Sequence, residues 1–106
     1  MFARFLELTV KPDRKTELLK KMRDDVVPIL KKHAGFIDVL PLEVEGEPTK
    51  IYAVSLWRDK PDAEKYEKEN FARVDAIYEP FLTMPIVTKH CRIDETIFKR
   101  VLQVAA

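Results

Sequence analysis

The sequence predicts an α+β fold: a ferredoxin-like βαββαβ sandwich, with one antiparallel sheet carrying both helical regions on a single face. Three observations predict it. Four segments alternate as strands do and two repeat their apolar residues every three to four positions, in the order strand, helix, strand, strand, helix, strand. The first and third strand segments are largely apolar on both faces, as central strands are, whereas the second contains a proline and suits an edge. The economical packing of that order places the strands as 4-1-3-2 with both helices on one side.

Phe2 to Val10 reads as the first strand, with Arg4, Leu6, Leu8 and Val10 on one face and Ala3, Phe5, Glu7 and Thr9 on the other. Lys11-Pro12-Asp13 ends it and opens a helix. Proline is tolerated in a first helical turn, and Asp13 is placed to cap it or complement its dipole. The helix runs to about His33 on a stripe of Leu18, Leu19, Met22, Val26, Ile29 and Leu30. Pro28 interrupts that stripe. It has no N–H to donate and its ring clashes with the carbonyl of Asp24, so a kink or a short restart is expected there. Gly35 is the natural left-handed terminator.

The second strand runs from Phe36 to about Glu45, with Pro41 demanding an edge or a bulge, and Glu45-Gly46-Glu47-Pro48 is a turn of hairpin length. Lys50 to Arg58 is the third strand, with Ile51, Ala53, Ser55 and Trp57 on one face and Tyr52, Val54 and Leu56 on the other. Asp59-Lys60-Pro61-Asp62 opens the second helical region, which buries Ala63, Tyr66, Phe71, Val74, Ile77, Tyr78, Phe81 and Leu82. Asn70 marks an expected break in it, and Pro80 is expected to end its regular hydrogen bonding or kink its last turn. Met84-Pro85 leads into the fourth strand, Ile86 to about Ile93. The chain reads as one domain, 1–106, with a core over 2–93 and a tail, 94–106, that packs on the core or on a partner subunit.

Two helical regions can cover one face of such a sheet. The other face would present Phe5, Tyr52, Val54 and Leu56 to water, a larger contiguous apolar patch than monomers usually carry. A second copy of the same sheet is the simplest cover, so a homodimer is expected; the alternative is that the tail folds back over that face.

Composition narrows the functional classes. Nineteen Lys and Arg against 18 Asp and Glu leave a net charge of +1, with the signs interleaved, which disfavours nucleic acid and anionic membrane surfaces as partners. A single cysteine, Cys91, excludes an internal disulfide and any multi-cysteine metal site. The two histidines, His33 and His90, fall on separate elements and make no metal-ligand spacing. No segment is long and apolar enough to span a membrane, the first ten residues do not read as a signal peptide, and a cytoplasmic location is expected. No P-loop, dinucleotide fingerprint, nucleophile elbow or zinc motif is present.

Arg4 stands out because it is a charge on an otherwise apolar strand face, where it must find an acid, reach solvent, or bind a phenolate or carboxylate. Trp57 can close the core or form a flat wall for an aromatic ligand. His90 shares a strand face with Ile86, Thr88 and Arg92, and can serve structurally or as a general base. Tyr66 and Tyr78 can donate to a bound oxygen or simply pack. His33, at a helix end, complements the dipole. Glu7, on the face assigned to the dimer, is placed to pair with a cation across it. The charge runs around 14–25 and 59–73 read as solvated helix faces.

Lys11-Pro12, Gly35-Phe36, Val54-Ser55-Leu56-Trp57 and the following Pro61-Asp62-Ala63 with Tyr66 resemble the antibiotic biosynthesis monooxygenase domain over about residues 2 to 93. That resemblance implies a dimeric α+β barrel. It also implies a cofactor-independent monooxygenase acting on a small apolar, aromatic or quinol-like molecule, or a non-catalytic dimer that binds such a molecule. The implied pocket lies between sheet and helices, lined by Arg4, Leu6, Leu8, Ser55, Trp57, Phe71, Val74 and Tyr78, with His90 beside it. The haem-degrading branch of the family is similar at Trp57, but its strand asparagine and helix histidine correspond here to Leu6 and about Ala76. Neither can ligate iron or donate the needed hydrogen bond, so no haem, metal or other cofactor is expected.

Overall fold

The computed structural model describes residues 1–97. The expectation that the tail packs on the core or on a partner lies, from residue 98 onward, outside the described residues. Strand β1 spans Phe2–Thr9, β2 Phe36–Glu43, β3 Lys50–Trp57 and β4 Val87–Arg92, and they hydrogen-bond in the order β2-β3-β1-β4, antiparallel throughout. This is the expected order, read from the opposite edge. Pro41 sits in the edge strand β2, where its missing N–H costs no ladder bond on the open side. The register irregularity of that strand falls between Phe36 and Asp38, not at Pro41.

The first helical region is built in three pieces: α1 (Lys15–Lys21), a π-helical turn (Met22–Val26) and α2 (Val27–Lys31). Pro28 explains the division. The wide turn is closed by the Val27 N–H donating to the carbonyl of Met22, five residues back, and the α-helix restarts with Pro28 in its first turn, where no N–H is required. Asp13 does not cap this region. It adopts a left-handed conformation with φ of 63° in the turn after β1, the helix starts later, and no side chain caps it. Gly35, with φ of 82°, turns the chain from α2 into β2, and a Cβ there would overlap the Asp62 carboxylate.

Helix α3 (Lys60–Tyr78) opens on Asp59, whose carboxylate accepts from the Asp62 N–H at 3.0 Å, with Pro61 in the first turn. It runs unbroken through Asn70, because the Asn70 amide reaches across to His33 at 2.7 Å and does not compete with its own backbone. A 3₁₀ turn, Glu79–Phe81, ends it at Pro80. No helix among the described residues is long and apolar enough to cross a membrane.

The helices pack on the sheet face that carries Leu6, Leu8, Ile51, Ala53 and Trp57, all buried. On the opposite face Phe5, Tyr52, Val54 and Leu56 are only half-buried, and Leu40, Leu42 and Val87 are exposed at 44%, 45% and 40%. Glu7 on that face pairs with Lys50 of its own chain at 2.6 Å, and the Lys50 ammonium also donates to Thr9 Oγ1 at 2.8 Å. The neighbouring strand supplies its cation directly, and the Glu7 hydrogen bond holds the Lys50 pKa above its ordinary value.

Candidate functional site

The inner sheet face of β1 and β3 converges with α3 on one charged side chain. Arg4 lies opposite Ser55 on β3 and His90 on β4, so it sits near the middle of the sheet, and it is 1% exposed. A guanidinium cannot shed its charge at such a place, as an amine can. Its surroundings are aromatic: the guanidinium carbon lies 4.3 Å from the centre of the Phe71 ring and 5.2 Å from that of Tyr66, close enough for cation–π attraction. Its Nε and Nη2 are buried and find no hydrogen-bond acceptor among the described residues. The nearest carboxylate oxygen, Glu67 Oε1 on α3, is 3.5 Å from Nη2, an ion pair too long for a charge-assisted hydrogen bond. The other oxygen, Oε2, is 2.9 Å from His90 Nε2. Glu67 thus stands between a buried cation and an exposed imidazole.

Beside Arg4 is a small cavity of about 20 Å³, lined among others by Leu6, Ser55, Tyr66, Val74 and Tyr78. That is room for about one water molecule. Both tyrosines are held in the neutral form. Burial pushes the Tyr66 hydroxyl up to about 12, the Arg4 charge offsetting part of the effect, and burial raises Tyr78 further. At neutral pH they offer O–H donors and take up no proton.

The sequence-predicted residues divide around this cavity. Arg4, Leu6, Ser55, Val74 and Tyr78 line it. Trp57 does not. It is fully buried, stacked on Tyr66 with ring centres 5.1 Å apart, flanked edge-on by Phe36 and His33, and its Nε1 donates to Ser55 Oγ at 2.9 Å. The indole is the wall behind the site, and Ser55 already has its partner. Leu8 is buried deeper in the core. Phe71 covers Arg4 and on its other side lines a separate surface groove with Leu82, Met84 and Ile86. His90 is half-exposed at the rim, its ring 6.2 Å from that of Phe2. His33 packs edge-on against Tyr66 and Trp57 beyond the end of α2, where it bonds Asn70. In the sequence Glu67 is hidden within a charge run. The signal that could have found it is its place one residue beyond the buried Tyr66, on the helix that covers Arg4.

The fold has known counterparts. The family model described as antibiotic biosynthesis monooxygenase matches residues 1–73. Among solved structures, the chain resembles SnoaB, a cofactor-independent oxygenase from Streptomyces nogalater crystallised as a mutant, with a TM-score of 0.72 and 12% identity over 87% of this chain and 91% of that one. It also resembles PA3566 from Pseudomonas aeruginosa, with a TM-score of 0.65 and 20% identity over 88% of this chain and 94% of that one. A conserved protein from Methanosarcina mazei Go1 gives a TM-score of 0.72 at 16% identity, over 89% and 94% of the two chains. At these identities the likeness is one of fold. Compared with curated proteins, the sequence finds no match.

Proposed function

The chain belongs to the antibiotic biosynthesis monooxygenase family, and from that premise we propose that it is a homodimeric, cofactor-independent monooxygenase of a small aromatic or quinol-like molecule. The observation that carries the proposal is the buried guanidinium of Arg4, with two N–H groups unpartnered inside an aromatic enclosure. Oxygen chemistry without a cofactor needs a substrate that can itself give electrons to oxygen, and an electron-rich aromatic anion does so. A fixed, buried cation favours that anion over its neutral form. Neutral Tyr66 and Tyr78 add hydrogen-bond donors without competing for its proton. The family membership and the likeness to a cofactor-independent oxygenase support the same reading.

Admission of an aromatic ring requires the site to open. The cavity of about 20 Å³ is far below the size of an ordinary ligand pocket. Phe71 and Glu67, both on α3 and neither fully buried, are the side chains whose outward rotation would enlarge it; such rotamer changes are common on binding. The small volume of the cavity is also the observation that favours a second reading, a non-catalytic dimer that holds a small ligand. In either reading a second copy covers Phe5, Tyr52, Val54 and Leu56.

Oxygen uptake with a panel of dihydroxynaphthalenes and anthrones separates them. The expected result is uptake by the wild-type chain that falls about 100-fold in Arg4→Ala, the usual scale for removing a preorganised charge partner. Absence of uptake across the panel selects the binding reading. Uptake unchanged in Arg4→Ala and Trp57→Phe rejects this assignment of the site.

A further inference from the structure

We infer that the Arg4 site recognises a carboxylate, and that Glu67 is an internal carboxylate which a ligand displaces. The inference rests on the reading of Arg4 as the anchor of the substrate and adds a carboxylate to the electron-rich aromatic molecule: the guanidinium holds that carboxylate, and the ring supplies the electrons.

The two unpartnered donors of Arg4 are Nε and Nη2. In a planar guanidinium these two N–H groups form one edge and point the same way, at the spacing of the two oxygens of a carboxylate. A phenolate offers a single oxygen and leaves one of the pair unmet. The rings of Phe71 and Tyr66, 4.3 and 5.2 Å from the guanidinium carbon, supply attraction, and the Tyr66 hydroxyl also interacts with the guanidinium, but Nε and Nη2 stay without a protein acceptor. What the site lacks is an acceptor along that edge, and it needs two in one plane.

Glu67 shows what fits there and why it is not seated. It brings a carboxylate to the site, yet its Oε1 stops 3.5 Å from Nη2 while His90 Nε2 holds Oε2 at 2.9 Å. The competing bond at the rim draws Glu67 outward and leaves the Arg4 edge open. The two partners also differ in freedom. Glu67 is about one-third exposed and can turn toward water, whereas Arg4, 1% exposed, cannot follow it. A ligand carboxylate arriving at Arg4 therefore replaces one weak ion pair with a bidentate one, while Glu67 keeps His90. The neutral hydroxyls of Tyr66 and Tyr78 and the apolar side chains of Leu6 and Val74 flank the place the ligand would take, which suits a small aromatic carboxylate.

Calorimetric titration of the intact chain with benzoate, its neutral isostere benzamide, and phenol tests this. Benzoate is expected to bind in preference to both. In Glu67→Gln, which removes the internal competitor's charge, benzoate should bind at least about tenfold tighter while benzamide is unchanged, and Arg4→Lys, which cannot present two parallel donors, should lose most of the benzoate affinity. The inference is overturned if Glu67→Gln, with its unfolding transition intact, binds benzoate no tighter than wild type, or if benzamide or phenol binds as well as benzoate. Its failure is distinct from failure of the oxygenase reading. Benzoate preference without oxygen uptake on any phenol overturns the oxygenase and keeps the carboxylate site. Arg4-dependent uptake with phenol bound as well as benzoate does the reverse.

Discussion

Arg4→Met is expected to stabilise the chain against urea by about 1 kcal/mol or more, because the partner left behind, Glu67, is one-third exposed and so is not a stranded buried charge of the kind that makes loss of one partner destabilising. The result is counter-intuitive, because the substitution removes an ion pair and two ring contacts. Those gains are small: a cation–π contact contributes roughly 0.5–2 kcal/mol, and the Glu67 pair is long and partly solvated. Against them stand the desolvation of a full charge and two buried donors that no protein group accepts from. Methionine is flexible enough to fill the space between Leu6, Tyr66 and Phe71. Glu67 would not be stranded, since it is part-exposed and bonded to His90. The midpoint of urea unfolding should rise at constant slope, while oxygen uptake and benzoate binding are lost. A fall in stability would mean that Arg4 is there to hold the fold.

Val54→Asp is expected to convert a dimer into a single chain. Val54 lies at the centre of the open sheet face, opposite Phe5 on β1 and Leu40 on β2. In a two-fold interface the substitution enters twice, and each buried carboxylate costs several kcal/mol. At 1.4 kcal/mol per tenfold, the dissociation constant should rise by more than about 100-fold. Sedimentation equilibrium of wild type and variant reads this directly. A wild-type chain that sediments as a monomer, with Tyr52 accessible to solvent, contradicts the proposed assembly.

The sheet was legible because its register follows from alternation. Ile51, Ala53, Ser55 and Trp57 had to share a face, and that face is the buried one. Pro28 announced the interruption at Asp24 because a missing N–H and a ring clash are local facts, and the π-helical turn is how the chain accommodates them. Arg4 was visible as one charge in an apolar stripe. Where the sequence misled, a tertiary partner intervened. Asn70 looked like a helix break until His33 took up its amide, and Glu7 looked free for an interface until Lys50 reached it along the sheet. Asp13 is placed in the sequence to cap the helix or complement its dipole, but the turn after β1 needs a left-handed residue there. The size of the cavity could not be read at all. It depends on how Val26, Leu30 and Val39, from three different elements, meet beside Arg4, and periodicity fixes direction, not fit. Glu67 escaped for a related reason: on a helix most charged side chains face water, and only the position of Arg4 across the interface gives this one a role.

The proposed function depends on one group, the guanidinium of Arg4, receiving the anionic end of a ligand. The most direct measurement is the Nε–H resonance of Arg4 in ¹⁵N-labelled protein, assigned by its loss in Arg4→Lys, followed during titration with benzoate. The account predicts that this resonance shifts saturably, with the same dissociation constant that calorimetry gives, and that the shift comes at lower benzoate in Glu67→Gln. A resonance that stays in place while benzoate saturates the protein would contradict it.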